Sequence, residues 1–540
     1  MMAAVPTLWP EAHARRGMIA TPHRLASEAG IAIFERGGNA LDAAIAAAIT
    51  IAVVYPHMTG IGGDSFWLAW DAPQARVLAL NAAGRAATSA TLEAYRRQWG
   101  ASIPARGGAA ALTVPGAVSG WWEASQYSRA TMASPIGWPT LFERAIAHAR
   151  NGFPVSSGQR RVTAHAADLF SGAPAAEIRA TLWPRYHPDR LHAERFVQRD
   201  LATTLARVAE SGADEFYRGA LGRRIAEAAT SLGSPLSAAD FAAHRADWVE
   251  ALRVPYRGGE AVSLPPPTQG VAALAILAML EAVDVGRLDD AERVHLIVEA
   301  TKLAFEDRDR FLADPAMSAV PVERCLDPAR LAERRARISK LAMPASPGAP
   351  AAGDTVAIVA ADAAGNAVSV IQSLYHEFGA GVVAGDTSVL LQNRGAGFSL
   401  DPAHPNCLAP GKRTAHTLIP SMYFRDGRPR FVYGTMGGDG QPQTQAALVT
   451  RLVDDGLGPQ AAVEAPRWLY GRTWGEASRA LRLEARFPPA VAAELAARGH
   501  DVKVVDAWSE LMGHAQVVAL DADGLRGGSD PRADGAALGV

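Results

Sequence analysis

The residue best equipped for chemistry in this chain is a threonine. A run rich in Pro, Ala and Gly, from Met343-Pro344 to Ala352, stops at Asp354, and a strand-like run begins at Thr355. If the chain were cut there, Thr355 would carry both a hydroxyl and a free α-amine. A hydroxyl is a poor nucleophile at neutral pH, but an α-amine with an ordinary pKa of about 7.7–8.0 is a base suited to activating it. The plainer reading of an Asp-Thr pair at the end of a loop is a loop-to-strand junction, so the rest of the chain has to decide. Arg85, in Asn81-Ala82-Ala83-Gly84-Arg85-Ala86-Ala87, poses a similar choice. Such an arginine is ordinarily a solvated surface charge, yet among Ala and Gly it could be held to fork a carboxylate. Gly60-Ile61-Gly62-Gly63-Asp64-Ser65 has the look of a phosphate loop. It lacks the terminal Gly-Lys-Ser/Thr and the strand-before, helix-after context, and reads as a tight turn into a hairpin.

The elements that must position these residues follow from the patterning. Met18–Thr21 reads as a strand, Pro22–Arg36 as a helix ended by Gly37-Gly38, and Asn39–Val54 as a helix apolar on nearly every face, hence packed on all sides. Asp42 and its shortness make that helix a buried core element and not a membrane span. A hairpin is expected over Phe66–Trp70 and Ala75–Asn81, and helices over Val271–Val283 and His295–Asp309, the latter with Lys302, Glu306 and Arg308 on its wet side. After Thr355 the texture changes to strands, Val356–Ala361, Ala367–Ser373, Thr387–Leu391, His416–Phe424 and Arg430–Gly434, before helices return at Pro442–Asp455 and Pro488–Arg498. A final set of strands ends at Ser529-Asp530-Pro531-Arg532. Helix-rich flanks around two runs of strands suggest sheets packed face to face with helices outside.

Composition narrows the function classes. The 540 residues are 49% hydrophobic and 20% charged, which reads as folded and soluble. A net charge of −2 with no Lys/Arg-rich run leaves no electrostatic footprint for nucleic acid or an anionic membrane, so a small-molecule partner is expected. Cys325 and Cys407, the two cysteines, have no metal-site or disulfide spacing and are expected to be buried or inert. Met1–Pro6 runs into Trp9-Pro10-Glu11 and Arg15-Arg16 before any apolar core develops, which reads as no secretory signal and a cytoplasmic protein.

Seven motifs in order and in register carry a resemblance across nearly the whole chain. Gly37 to Ala44, Gly60 to Asp64, Pro265-Pro266-Pro267-Thr268, Thr355 with Asp362, Gly365-Asn366-Ala367-Val368, Gly437-Gly438 and Ser529 to Arg532 together resemble the γ-glutamyltransferase family. The resemblance implies an α+β chain folded as the four-layer αββα sandwich of the N-terminal nucleophile hydrolases. It implies one precursor that cuts itself in front of Thr355, giving a large fragment, 1–354, and a small one, 355–540, that remain associated as a heterodimer. Thr355 would be the nucleophile, and an acyl-enzyme ester would pass to water or an acceptor amine. Gly437 and Gly438 would supply the oxyanion hole, their plain alternative being a turn after a strand. Ser373 matches a hydroxyl that, in the family, hydrogen-bonds near the nucleophile. No metal or organic cofactor is required by this chemistry.

The departures from the family pattern concern the substrate. Where typical members have Ser-Ser-Met, this chain reads His416-Thr417-Leu418. Thr417 keeps one hydroxyl, and His416 is either a core histidine with a satisfied hydrogen bond or a site residue. The Asn and Asp that grip a γ-glutamyl α-amine are matched by Tyr375 and Gly397, with Arg394 close in sequence. A substrate ammonium would gain little there. The family's carboxylate-binding arginine falls on Ala83, making Arg85 or Arg394 the substitute clamp. Leu400–Gly411 is shorter than the lid-bearing segment of typical transpeptidases, so a more open pocket is expected. The expectation is an amide hydrolase for a small carboxylated substrate, oxamate-like or glutaryl-like. A true γ-glutamyltransferase and an unprocessed, non-catalytic homologue are the alternatives.

Overall fold

In the run Asp354–Asp362, Val356, Ile358 and Ala360 join one hydrophobic core while Ala357, Val359 and Ala361 join another. Such strict alternation requires apolar layers on both faces of the strand, and the computed structural model supplies them. It describes residues 7–169, 178, 180–191, 193–344, 354–471 and 478–540. The Pro/Ala/Gly-rich run beyond Pro344 and the segment Met1–Pro6 lie outside these.

One antiparallel sheet runs in spatial order β19 (Ala536–Gly539), β2 (Gly17–Thr21), β8 (Asp354–Asp362), β9 (Ala367–Tyr375), β3 (Asp64–Asp71), β4 (Arg76–Ala82) and β5 (Asp247–Val249). The second, also antiparallel, runs β1 (Ala12–Ala14), β18 (Gly524–Ser529), β17 (Ala515–Asp521), β13 (Arg428–Thr435), β12 (Ser421–Arg425), β7 (Gly259–Ser263) and β6 (Leu252–Tyr256). A ribbon of β10 (Val383–Ala384) and β11 (Val389–Leu390) and a small sheet of β14 (Trp468–Tyr470), β15 (Leu481–Glu484) and β16 (Val502–Val505) complete the strands. Phe66, Leu68, Ile371, Met422, Val432 and Val518 fill the space between the two large sheets. On the outer face of the first, the helix Ala40–Val54 packs against β8 and β9, every one of its residues buried. On the outer face of the second lie Gly270–Leu280, Asp290–Phe311 and Gln441–Val453. This is the αββα order of layers.

The Gly37–Asp42 motif has a local cause: Asn39 Oδ1 accepts the Leu41 and Asp42 N–H groups, and Asp42 accepts the Asn39 N–H at 3.1 Å, a capping box that starts the buried helix. None of the helices among the described residues is long and apolar enough to cross a membrane.

Several expectations need correcting. Lys302 and Arg308 are buried, not wet: the helix Asp290–Phe311 is enclosed on more than one side, and each charge is neutralised by an acidic partner, Glu299 and Asp309. The strand expected over His416–Phe424 begins only at Ser421, because Pro420 has no N–H to donate to a ladder. Thr387–Leu391 shrinks to two strand residues. Cys325 is buried, but Cys407 is half-buried.

Candidate active site

Both large sheets end in the same two places. A cleft lined by Trp70, Asp362, Arg430 and Leu520 marks one end of the sandwich, so the opposite ends of the same strands, carrying Thr355, Thr435 and Ala515, converge at the other. Asp354 pairs with Tyr375 and Val356 with Gln372. Thr355 sits in the bulge between them, opposite Ser373 and Leu374. Bulges re-aim side chains at the ends of sheets. Thr355 is fully buried, and its hydroxyl has no hydrogen-bond partner among the described residues. Ser373 Oγ accepts the Tyr375 N–H at 2.7 Å and so shapes the turn leaving β9, where Tyr375 holds a left-handed φ of 85°. That conformation is uncommon for a bulky side chain and is found where surrounding contacts enforce it.

One such contact comes from Arg394. Its guanidinium stacks 3.8 Å over the Tyr375 ring, and Nη1 donates to Thr417 Oγ1 at 3.4 Å. Arg394 is 2% exposed, and Nε and Nη2 have no partner among the described residues. Burial pulls its pKa down to about 10, still leaving the group charged at neutral pH.

Next to it lies His416. Asp64 Oδ1 accepts the N–H groups of Gly84 and Gly116 and the Gln392 amide, leaving Oδ2 for His416 Nε2 at 3.3 Å. A carboxylate can only accept, so Nε2 carries the proton and Nδ1 is an acceptor, buried and without a partner among the described residues. Burial, then the Arg394 charge, pull the imidazole down to about 3 despite Asp64. The pair is therefore a hydrogen bond to a neutral ring and not an ion pair.

Gln269 links this corner to the glycine pair. Its amide donates to Thr417 O at 3.0 Å and Gly438 O at 2.8 Å, and it accepts from Arg308 Nη1 at 3.2 Å. Gly437 and Gly438 have φ of 135° and 49°, a conformation that side chains resist. Gly62 and Gly63 are explained by close approach: a Cβ on Gly62 would lie 2.1 Å from Leu390 O and one on Gly63 2.2 Å from Ser373 O, so the loop lets backbones touch and holds Asp64 beside β9. The hairpin reading of that motif stands, but it missed Asp64 as the residue that fixes His416. The Gly-Asp ending, followed by strand, was the signal available.

A cavity of about 290 Å³ opens at this end, lined by Tyr375, Arg394, His416, Thr417, Gln269 and Asp439, with Gly397 at its edge. It brings together four of the expected site residues. Arg85 is not among them. It is held between Asp247 and Asp314 at 3.6 Å each, with Nη1 donating to Gly411 O, so its charge is already met on another surface. Thr355 does not itself line the cavity; its neighbour Asp354 pairs with the lining residue Tyr375.

The four-layer sandwich with a buried threonine at the head of a central strand defines the N-terminal nucleophile class of amide hydrolases. Residues 26–540 match the gamma-glutamyltranspeptidase family model, and the chain belongs to that family. It is 46% identical over 525 residues to the oxamate amidohydrolase proenzyme of Klebsiella pneumoniae, covering 97% of this chain and 98% of that one. It is 44% identical over 527 residues to the glutathione hydrolase-like YwrD proenzyme of Bacillus subtilis, with the same coverage. The crystal structure of a cephalosporin acylase from Bacillus halodurans superposes with a TM-score of 0.91 at 35% identity, over 100% of this chain and 99% of that one. The chain is thus a family amidohydrolase related to oxamate amidohydrolase and to acylases.

Proposed function

We propose that the chain cuts itself between Asp354 and Thr355 and that the exposed threonine then hydrolyses the amide of a small carboxylate-bearing substrate, oxamate-like or glutaryl-like. In the first step Thr355 Oγ attacks the Asp354 carbonyl carbon and the C–N bond breaks, leaving an ester and a free α-amine. Water cleaves the ester. Each large sheet draws strands from both sides of the cut, β2 to β5 beside β8, β9 and β19 in one of them, so the fragments 1–354 and 355–540 stay interleaved. In turnover Thr355 Oγ attacks the substrate carbonyl, the α-amine takes the proton and passes it to the leaving amine, and water completes hydrolysis. Gly437 and Gly438 are the proposed donors to the oxyanion, with Ser373 and Thr417 as supporting hydroxyls.

The observation that carries the substrate reading is Arg394: a buried cation on the cavity wall, with two donors that have no partner among the described residues, suits a carboxylate. The cavity's own carboxylates, Asp309 and Asp439, both lie against Arg308, at 2.7 and 3.8 Å, leaving an ammonium no clear partner. The longer of these contacts favours a second reading. Were Arg308 to turn fully to Asp309, Asp439 could take the α-amine of a γ-glutamyl amide. Thr355→Ala should remain one band on a denaturing gel and lose turnover; amidase activity in that variant would displace Thr355 as nucleophile. Release of ammonia from oxamate, hydrolysis of a glutaryl amide and turnover of a γ-glutamyl anilide are to be compared in the wild type. Acceptor-stimulated turnover of the last, exceeding the others, would favour the second reading.

A further inference from the structure

Arg394 and His416 occupy one flank of Thr355, the side of β9 and β3. The other flank, toward β2, holds a different set of groups. The helix Ala40–Val54 begins with the Ala40 N–H on Asp362 at the far end of β8, so its last turn and His57 just beyond lie over the Thr355 end. Across the sandwich, a Cβ on Gly434 would stand 3.1 Å from Ala357, and Gly434 pairs with Gln516. Ala515 and Val517 face the outer helices. Gln516, of opposite parity, therefore points between the sheets toward β8, and His514 has the same parity. Gln159 completes the set from the helix Ser157–Leu169, which is tied to this end by Arg161 on Glu510 and by the Gly158 N–H on Asp534.

His57, Gln159, His514 and Gln516 are each at most 2% exposed, yet none of the nitrogen and oxygen atoms of these four side chains has a hydrogen-bond partner among the described residues. Buried polar atoms are nearly always partnered, because leaving one bare forfeits its hydration with nothing in return. Four such side chains gathered at one end call for a polar occupant. The nearby charges are already met: Asp534 accepts from Ser157, Gly158 and Tyr55, and Arg161 pairs with Glu510. Burial lowers His57 to about 3 and lowers His514 as well, so both rings are neutral at neutral pH. Among the described residues an anion or a cation would find no free counter-charge here.

We propose that His57, Gln159, His514 and Gln516 form an uncharged polar subsite on the side of Thr355 away from Arg394, occupied by the small neutral nucleophile that deacylates the enzyme. This rests on Thr355 being the acylated residue. Water held there attacks the acyl carbon, the C–Oγ bond breaks, and the proton lost by water returns to Thr355 Oγ by way of the α-amine. A neutral nitrogen nucleophile such as hydroxylamine can take the same place and leave as the hydroxamate. A zwitterionic acceptor such as glycylglycine cannot.

The test uses the processed wild type with Gln516→Leu and His57→Asn, following the acylation burst, the steady-state rate and the hydroxamate-to-acid ratio with hydroxylamine. The expected result is a burst within twofold of wild type, deacylation at least tenfold slower, and a changed ratio in both variants. Glycylglycine should give no transfer product. Unchanged deacylation and ratio in variants that still acylate on Thr355 would overturn the subsite alone, whereas turnover surviving Thr355→Ala would overturn the nucleophile and the subsite with it. A crystal structure gives a reading that does not depend on folding of the variants. Ordered water hydrogen-bonded to His57, His514 and Gln516 supports the subsite, and a dry cluster would refute it.

Discussion

Arg394→Met separates the carboxylate-clamp reading from a structural role, because the two effects of the substitution have opposite signs. A substrate carboxylate on Nε and Nη2 would form two charge-assisted hydrogen bonds of about 1.5–3 kcal/mol each. Their loss, about 3–6 kcal/mol together, lowers kcat/KM by on the order of 10²–10⁴ at 1.36 kcal/mol per decade. In the free protein the same two donors are buried without partners among the described residues, each costing roughly 1–3 kcal/mol. The stack on Tyr375 returns only about 0.5–2 kcal/mol. Methionine fills similar space with no donors, so the uncut Thr355→Ala background should keep or gain stability when Arg394 is replaced. The assays are kcat/KM for amide hydrolysis with and without a carboxylate on the substrate, and thermal unfolding. A clamp predicts lost activity toward carboxylated amides alone, with an unchanged or raised Tm. Activity within twofold of wild type, or a fall in Tm of the size expected for a core deletion, would refute the reasoning.

Lys302→Met should strand Glu299 in the core and destabilise by about 3–5 kcal/mol, since Lys302 Nζ is its ion-pair partner at 2.6 Å and also donates to Met343 O at 2.8 Å. The double variant Glu299→Met, Lys302→Met should recover much of that in chemical denaturation, and failure to do so would mean that the charge pair is not the source of the effect. Acid should destabilise the protein steeply. His23 and His244 are held near 4, and His57, His416 and His500 near 3, in each case chiefly by burial. The unfolded chain, with histidines near 6.5, binds more protons between those values. Stability is therefore greatest above pH 6.5 and falls as pH drops toward 4, by up to roughly 1.4 kcal/mol per histidine per pH unit. Denaturation of Thr355→Ala at pH 7.5 and 5.5 measures this, and equal stabilities would contradict it.

The sequence determined by itself whatever depends on local pattern. Alternation in Val356–Ala361 and Ala367–Ser373 needs apolar layers on both faces, so the stacked sheets were legible, as was the buried helix after Asn39. The position of Thr355, between a Pro/Ala/Gly run and a strand, marked it as a candidate nucleophile, and the family motifs around it gave the fold. What pattern could not show is which charges are already spent. Arg85 and Arg394 look equally available in the chain. Only folding brings Asp247 and Asp314, far away in sequence, against Arg85, and only folding encloses Arg394 over Tyr375 with two donors bare. The choice between a core and a site role for His416 likewise waited on Asp64, 352 residues away, which fixes the proton on Nε2 and turns Nδ1 into a buried acceptor on the cavity wall. Whether a polar group is paired is a property of long-range contact, and so the candidate nucleophile was legible in local sequence while the polar groups left available to a ligand were decided by tertiary structure.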